Sequence, residues 1–111
     1  LAQAVVHIAT APKSNASYKA LDAAIADVRA GKGQEVPAHL RDAHYAGAEK
    51  LGHGVEYRYA HDGPHGVVTQ QYAPDDLVGV DYYRPTTHGH EERTARRVEA
   101  LRGILRDRRR A

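Results

Sequence analysis

The sequence predicts a mainly α-helical domain with an irregular middle, on three observations. Apolar residues recur at spacings of three and four in roughly the first thirty and last twenty positions. Glycine and proline punctuate the stretch between them, and only one short part of that stretch alternates as a strand would. The 111 residues amount to one ordinary domain. A chain of this size normally buries ~65 % of the surface its unfolded form exposes, so residues 1–111 are expected to share one core.

In the first helix, over residues 1–10, Leu1, Val5 and Ile8 lie on one face with Ala2, Ala4, Val6 and Ala9 around it. A helix apolar nearly all round is expected to be buried. Ala11-Pro12-Lys13 breaks it, and Ser14 or Asn15 caps a second helix whose Tyr18, Leu21, Ile25 and Val28 form a stripe. Gly31 is its C-terminal stop. So short a connection predicts antiparallel packing, with the small alanines allowing close approach, so residues 1–30 should be a helical hairpin.

From Gly31 to Asp42 periodicity is lost, Gly33 and Pro37 marking an extended connector, and Asp42 can cap a short helix ending before Gly52. Val55, Tyr57 and Tyr59 alternate with polar residues. The turn Gly63-Pro64-His65-Gly66 and the β-prone residues 67–72 then predict a short β-hairpin. Pro74-Asp75-Asp76-Leu77 reads as a turn or single helical turn, and the residues before Pro85 must end extended. Thr86 or Thr87 can cap the last helix, with Glu91 and Glu92 at its start. Val98, Leu101, Ile104 and Leu105 form its apolar stripe.

With no Phe, Trp or Met, a core must come from Leu, Ile, Val, Ala and Tyr. The absence of cysteine removes disulfide frameworks and thiolate metal sites, and suits a cytoplasmic protein. Nothing approaches the ~20 consecutive apolar residues of a membrane span, and the apolar start lacks the flanks of a signal peptide. That start, without Met and without a cap, reads as a piece cut from a longer chain. The net charge of +2 is unevenly spread: Glu91 to Arg110 holds eight arginines against four acids.

Catalytic chemistry finds little support. A P-loop needs Lys and Ser or Thr after its second glycine, and Gly47-x-x-x-x-Gly52 is followed by His53-Gly54. Ser14 and Ser17, the only serines, sit at a helix start without a nucleophile elbow. His61-Asp62-Gly63-Pro64-His65 and His88-Gly89-His90 match no specific metal-ligand spacing, and a hydrolytic metal site at His61, Asp62 and His65 has neither a base nor an oxyanion donor to complete it. No metal or cofactor is assigned.

Several strings, in order and at matching spacing, resemble the C-terminal domain of the RarA/MgsA family of clamp-loader-like AAA+ ATPases, relatives of the Werner helicase-interacting protein. They are Ala11-Pro12-Lys13-Ser14-Asn15, Val36-Pro37-Ala38-His39-Leu40-Arg41, Leu51-Gly52-His53-Gly54, Tyr57-Arg58-Tyr59-Ala60-His61-Asp62, Gln71-Tyr72-Ala73-Pro74 and Tyr82-Tyr83-Arg84-Pro85-Thr86. The chain departs from the family at Asp42, usually Asn, and at Gly47-Ala48, usually larger apolar residues. The resemblance implies a helical, collar-like domain that joins ATPase subunits into a homotetramer, while upstream domains absent from this chain bind ATP and magnesium. It also implies action at stalled replication forks, with single-stranded DNA-binding protein and DNA as partners and a nucleoid-associated location.

Two readings follow. In the first the domain is a non-catalytic assembly module, with Val98, Leu101, Ile104 and Leu105 as candidate interface residues, although the same stripe could serve the domain's own core. In the second Arg93, Arg96, Arg97, Arg102 and Arg106, continued by Arg108 to Arg110, track nucleic-acid phosphates, while Tyr57, Tyr59, Tyr82 and Tyr83 stack on bases. Pairing of those arginines with Glu92, Glu99 and Asp107 in a solvated helix end is the competing account.

Overall fold

Three α-helices account for the regular structure of the computed structural model, which describes residues 1–106: α1 (Ala2–Thr10), α2 (Ala16–Arg29) and α3 (Glu91–Leu105). Between α2 and α3 the chain makes single 3₁₀ turns at Ala38–Leu40, Glu49–Leu51, Ala60–Asp62, Pro64–Gly66 and Asp75–Leu77. The fold is mainly α, as the periodicity predicts.

Local chemistry explains the ends of the first two helices. Lys13 folds its ammonium back onto the carbonyls of Ile8 (2.5 Å) and Ala11 (2.8 Å), placing a cation at the negative end of α1. Ser14 Oγ accepts from the Ala16 amide at 3.2 Å to start α2. α2 stops in a Schellman arrangement: Gly31 is left-handed (φ 85°), its N–H reaches Val28 O, and the Lys32 N–H reaches Asp27 O.

The expected helical hairpin does not form. No α-carbon of α1 comes within 8 Å of one in α2, or of one in α3. α1 has no buried residue, which corrects the expectation that it is interior. α2 is turned the opposite way from the usual amphipathic helix. Its alanine face, with Ala16 buried and Ala20, Ala24 and Asp27 partly covered, looks inward, while Tyr18, Leu21, Ile25 and Val28 all face solvent. Periodicity reveals that a helix has an apolar face; it does not say what lies against it.

Among the described residues only Ala16 and Ala48 are buried apolar side chains, so the single closed core expected from chain length is absent. The radius of gyration is 18.1 Å, against about 13 Å for a compact chain of this length. The accessible surface is 8954 Å², where a compact monomer of this mass exposes roughly 6,000 Å².

No strand occurs among the described residues, which corrects the predicted β-hairpin. The two β-prone segments do meet, but through a side chain. The Gln70 carboxamide accepts from the Arg58 N–H at 2.8 Å and donates to the Arg58 carbonyl at 3.2 Å, replacing the peptide group that a ladder would supply. At the turn between them, a Cβ on Gly63 would fall 2.5 Å from Val68 Cγ1, so only glycine closes it. The helix expected after Asp42 shrinks to the Glu49–Leu51 turn. The Asp42 carboxylate instead accepts from the His44 amide (2.9 Å) and ring (2.7 Å), an Asx turn.

Candidate subunit interface

An extended strap, residues 80–86, ties α2 to α3, and its partners alternate as the side chains of an extended chain must. Asp81 and Tyr83 turn to α3, and Tyr82 turns to α2. The Tyr82 hydroxyl donates to Asp27 at 2.7 Å, which pushes its own pKa up to about 12. That bond, helped by Lys32, holds the Asp27 carboxyl below its ordinary value. Asp81 receives Arg102 Nε at 3.0 Å and Arg106 Nη2 at 2.5 Å, and Arg102 Nη2 also donates to the Tyr83 carbonyl at 2.6 Å. The Asp81 pair raises the pKa of Arg106.

At the start of α3 one carboxylate gathers four donors from the strap and the α1–α2 linker. Glu91 accepts from the Thr86 hydroxyl (2.6 Å), the Thr86 amide (2.6 Å), Ser14 Oγ (2.7 Å) and the Tyr83 hydroxyl (2.9 Å). The Thr86 hydroxyl, then Ser14 and the Thr86 amide, bring its pKa down to about 2 against the opposing effect of burial. Burial and the Glu91 bond together raise the pKa of Tyr83. Thr86 is therefore not the residue immediately before α3, as expected, but acts five residues upstream through Glu91; His90 occupies the capping position and makes no side-chain cap bond.

The same bonds pin the α1–α2 linker. Pro12 lies against Gly89, whose φ of +56° suits glycine, and a Cβ there would fall 2.7 Å from Pro12 Cγ. His88 Nδ1 lies 3.0 Å from Lys13 O. Pro12, Lys13 and Ser14 thus fix the direction in which α1 leaves, and Asn15 is the residue before α2.

The remaining family-motif residues shape the connector. Pro37 precedes the 3₁₀ turn that contains His39 and Leu40, and the His39 ring meets the Gln71 carbonyl at 2.7 Å. Arg41 donates to Val36 O at 2.8 Å and meets His53 Nε2 at 3.3 Å, while the other ring nitrogen of His53 meets the Tyr45 hydroxyl. Tyr59 and His61 pack with ring centroids 4.9 Å apart, beside Asp62 in the Ala60–Asp62 turn. In residues 47–54, Ala48 is buried, the Gly54 N–H bonds Ala38 O, and His53-Gly54 directly follow Gly52. No group of three or more His, Cys, Asp or Glu among the described residues is placed to hold a metal.

The candidate nucleic-acid residues separate into two sets. Arg102 and Arg106 are engaged by Asp81, and Arg96 pairs with Glu92 at 2.5 Å. Arg93 and Arg97 are exposed and form no ion pair among the described residues. Arg108 to Arg110 and Asp107 lie outside the described residues. Of the candidate interface stripe, Val98, Leu101 and Leu105 are half-buried and Ile104 is exposed, its carbonyl accepting from Thr69 Oγ1 at 2.6 Å. A mostly apolar groove of about 400 Å³ runs past Leu105 between Thr69, Tyr72, Leu77, Val78 and Val80. Sequence reasoning passed over Asp81 and Gln70. The first could have been found from alternation in the strap, whereas nothing marks the second.

No helix among the described residues is long and apolar enough to cross a membrane. The family model "MgsA AAA+ ATPase C terminal" matches residues 1–102. An uncharacterized AAA domain-containing protein of Mycobacterium tuberculosis is 59% identical over 98% of this chain and 24% of its own length. Replication-associated recombination protein A is 48% identical in Bacillus subtilis (88% of this chain, 23% of the relative) and 41% in Escherichia coli (91% and 23%). The chain thus spans about a quarter of the length of these curated relatives.

Proposed function

The chain belongs to the MgsA AAA+ ATPase C-terminal family, and from that premise we propose that it is the assembly module of a longer AAA+ protein, joining its subunits into a homotetramer and performing no catalysis itself. The observation that carries this reading is an open surface far larger than a compact chain of this mass exposes. On the order of 2,000–3,000 Å² is exposed beyond the compact expectation, where one partner in a standard interface covers ~800 Å². Much of it is apolar: Leu1, Val5, Val6 and Ile8 of the first segment, and Tyr18, Leu21, Ile25 and Val28 of α2, are all exposed. An apolar surface of this extent on a free monomer would promote association.

In this reading the upstream domains bind ATP and magnesium, and the parent protein acts in replication-associated recombination at stalled forks. Single-stranded DNA-binding protein and DNA are its partners, and its place is the cytoplasm, at the nucleoid. The test is the absolute mass of the chain by light scattering on a sizing column, across concentration and salt. A tetramer is expected, and a monomer at every concentration overturns the assembly role.

A second reading, DNA binding through α3, rests on exposed Arg93 and Arg97 alone, since Arg96, Arg102 and Arg106 already have acidic partners. Titration with single-stranded DNA at low salt separates the two readings. Affinity that falls steeply with salt and is lost in Arg93→Glu/Arg97→Glu would favour DNA binding.

A further inference from the structure

We infer that His53 is a proton-operated clasp: with a neutral ring it locks Arg41 and ties two turns of the connector together, and on taking up a proton it releases Arg41 towards a neighbouring cleft lined by carboxylates.

The two turns are Ala38–Leu40, which Arg41 follows, and Glu49–Leu51, which Gly52 and His53 follow. Arg41 and His53 are both half-buried. The imidazole sits between two side chains. Arg41 Nη1 lies 3.3 Å from its Nε2, and the Tyr45 hydroxyl meets its Nδ1, the two rings standing edge to face with centroids 5.8 Å apart. One backbone bond runs beside them, from the Gly54 N–H to Ala38 O at 2.9 Å.

The supply of donors fixes the state of the ring. A guanidinium offers only N–H groups, so Arg41 bonds Nε2 only when that nitrogen presents a lone pair. The proton of the neutral ring then sits on Nδ1 and is donated to the Tyr45 oxygen. An imidazolium carries an N–H on both nitrogens. Tyr45 still accepts from Nδ1, but at Nε2 two donors and two positive charges face each other, so the Arg41 contact is the one that protonation breaks. Neighbouring groups do not offset this. His39 is bonded to the Gln71 carbonyl at 2.7 Å, and Asp42 is turned to the His44 amide and ring. Glu49 and Lys50, on the turn that leads to His53, are exposed and form no ion pair among the described residues.

Arg41 has an alternative partner. It also lines a cleft of about 470 Å³ with Glu35, Asp75 and Asp76, none of which forms an ion pair among the described residues. Asp75 accepts from the Gln71 carboxamide at 2.6 Å and Asp76 from the Gly33 amide at 2.9 Å. The charge of the His53 ring therefore selects between imidazole and carboxylate as the partner of Arg41. Histidine is the side chain that changes charge between about pH 5 and 8, so the clasp opens on mild acidification. Its opening leaves the Gly54–Ala38 bond alone to join the two turns.

Nuclear magnetic resonance of the chain tests this. At about pH 7.5 the ring-nitrogen shifts of His53 should place the proton on Nδ1. Exchange of the Gly54 amide, corrected for its intrinsic rate, should quicken several-fold between about pH 7.5 and about pH 5.5. Both readings need no variant. His53→Gln keeps one acceptor and one donor but does not titrate, and Arg41→Met removes the guanidinium, so in each the acceleration at Gly54 should vanish while His39 and His44 still titrate. A neutral ring protonated on Nε2, no acceleration in the wild-type chain, or an acceleration retained in either variant overturns the inference.

Discussion

Gly89 is where the linker is held, and replacing it with alanine tests whether that hold is real. An L-residue at φ +56° costs about 1–2 kcal/mol for the left-handed backbone alone. The new Cβ would also sit 2.7 Å from Pro12 Cγ and 3.0 Å from Pro12 Cβ. The proline ring cannot rotate away, so relieving the overlap displaces the linker at a further ~1–3 kcal/mol. Gly79→Ala isolates the first contribution, because Gly79 has φ +84° with nothing within 4 Å of the added carbon. Thermal unfolding of both variants at one fixed protein concentration should show Gly89→Ala the less stable by ~1–3 kcal/mol, each ~1 kcal/mol lowering Tm by roughly 4–8 °C. Equal destabilisation of the two variants would show that Pro12 is not held by Gly89, and that α1 is free to swing.

Gly103 lies inside α3 with open space around it, so Gly103→Ala should raise stability by about 0.5–1 kcal/mol in denaturant titration; a loss would reveal a close neighbour at that face. Asp81→Asn removes the charge shared by Arg102 and Arg106 and should cost ~1–3 kcal/mol by the same titration, whereas Arg96→Gln, which breaks an exposed pair, should change stability by under ~1 kcal/mol. The Glu91 pKa is depressed in the folded chain, so its stabilising contribution is complete above the ordinary 4.5 and disappears as pH falls towards about 2. Asp27, also depressed, adds to the same acid limb. Glu91→Gln should therefore be less stable at neutral pH and show a shallower loss from pH 5 to 2, and an unchanged acid limb would refute the role given to this carboxylate.

The three helices were legible because periodicity, caps and stops are local. Gly31 and Ser14 act within a few residues of the ends they define, and the Pro74 turn is equally local. Burial was not legible, because it depends on the bonds from Ser14 to Glu91 and from Lys13 to His88, which no window of neighbouring residues contains. The predicted hairpin at residues 55–72 had the right segments opposed. It lacked a ladder because Gln70 used its side chain where a strand would use its backbone. Of the candidate arginines, composition located the charge on α3 but could not show that Arg102 and Arg106 were matched to Asp81 from the strap. The apolar character of α1 and of the α2 stripe was also plain in the sequence, although the side each turns outward was not.

The bond between Ser14 and Glu91 joins residues 77 positions apart. Closing so long a loop must precede any reward from the contact, and its entropy cost rises with the logarithm of loop length. Folding that waits on such an encounter is slower than folding through local contacts alone. On a ribosome the Ser14 segment emerges long before its carboxylate is synthesised, so α1 and α2 spend that interval without the anchor that later sets their directions.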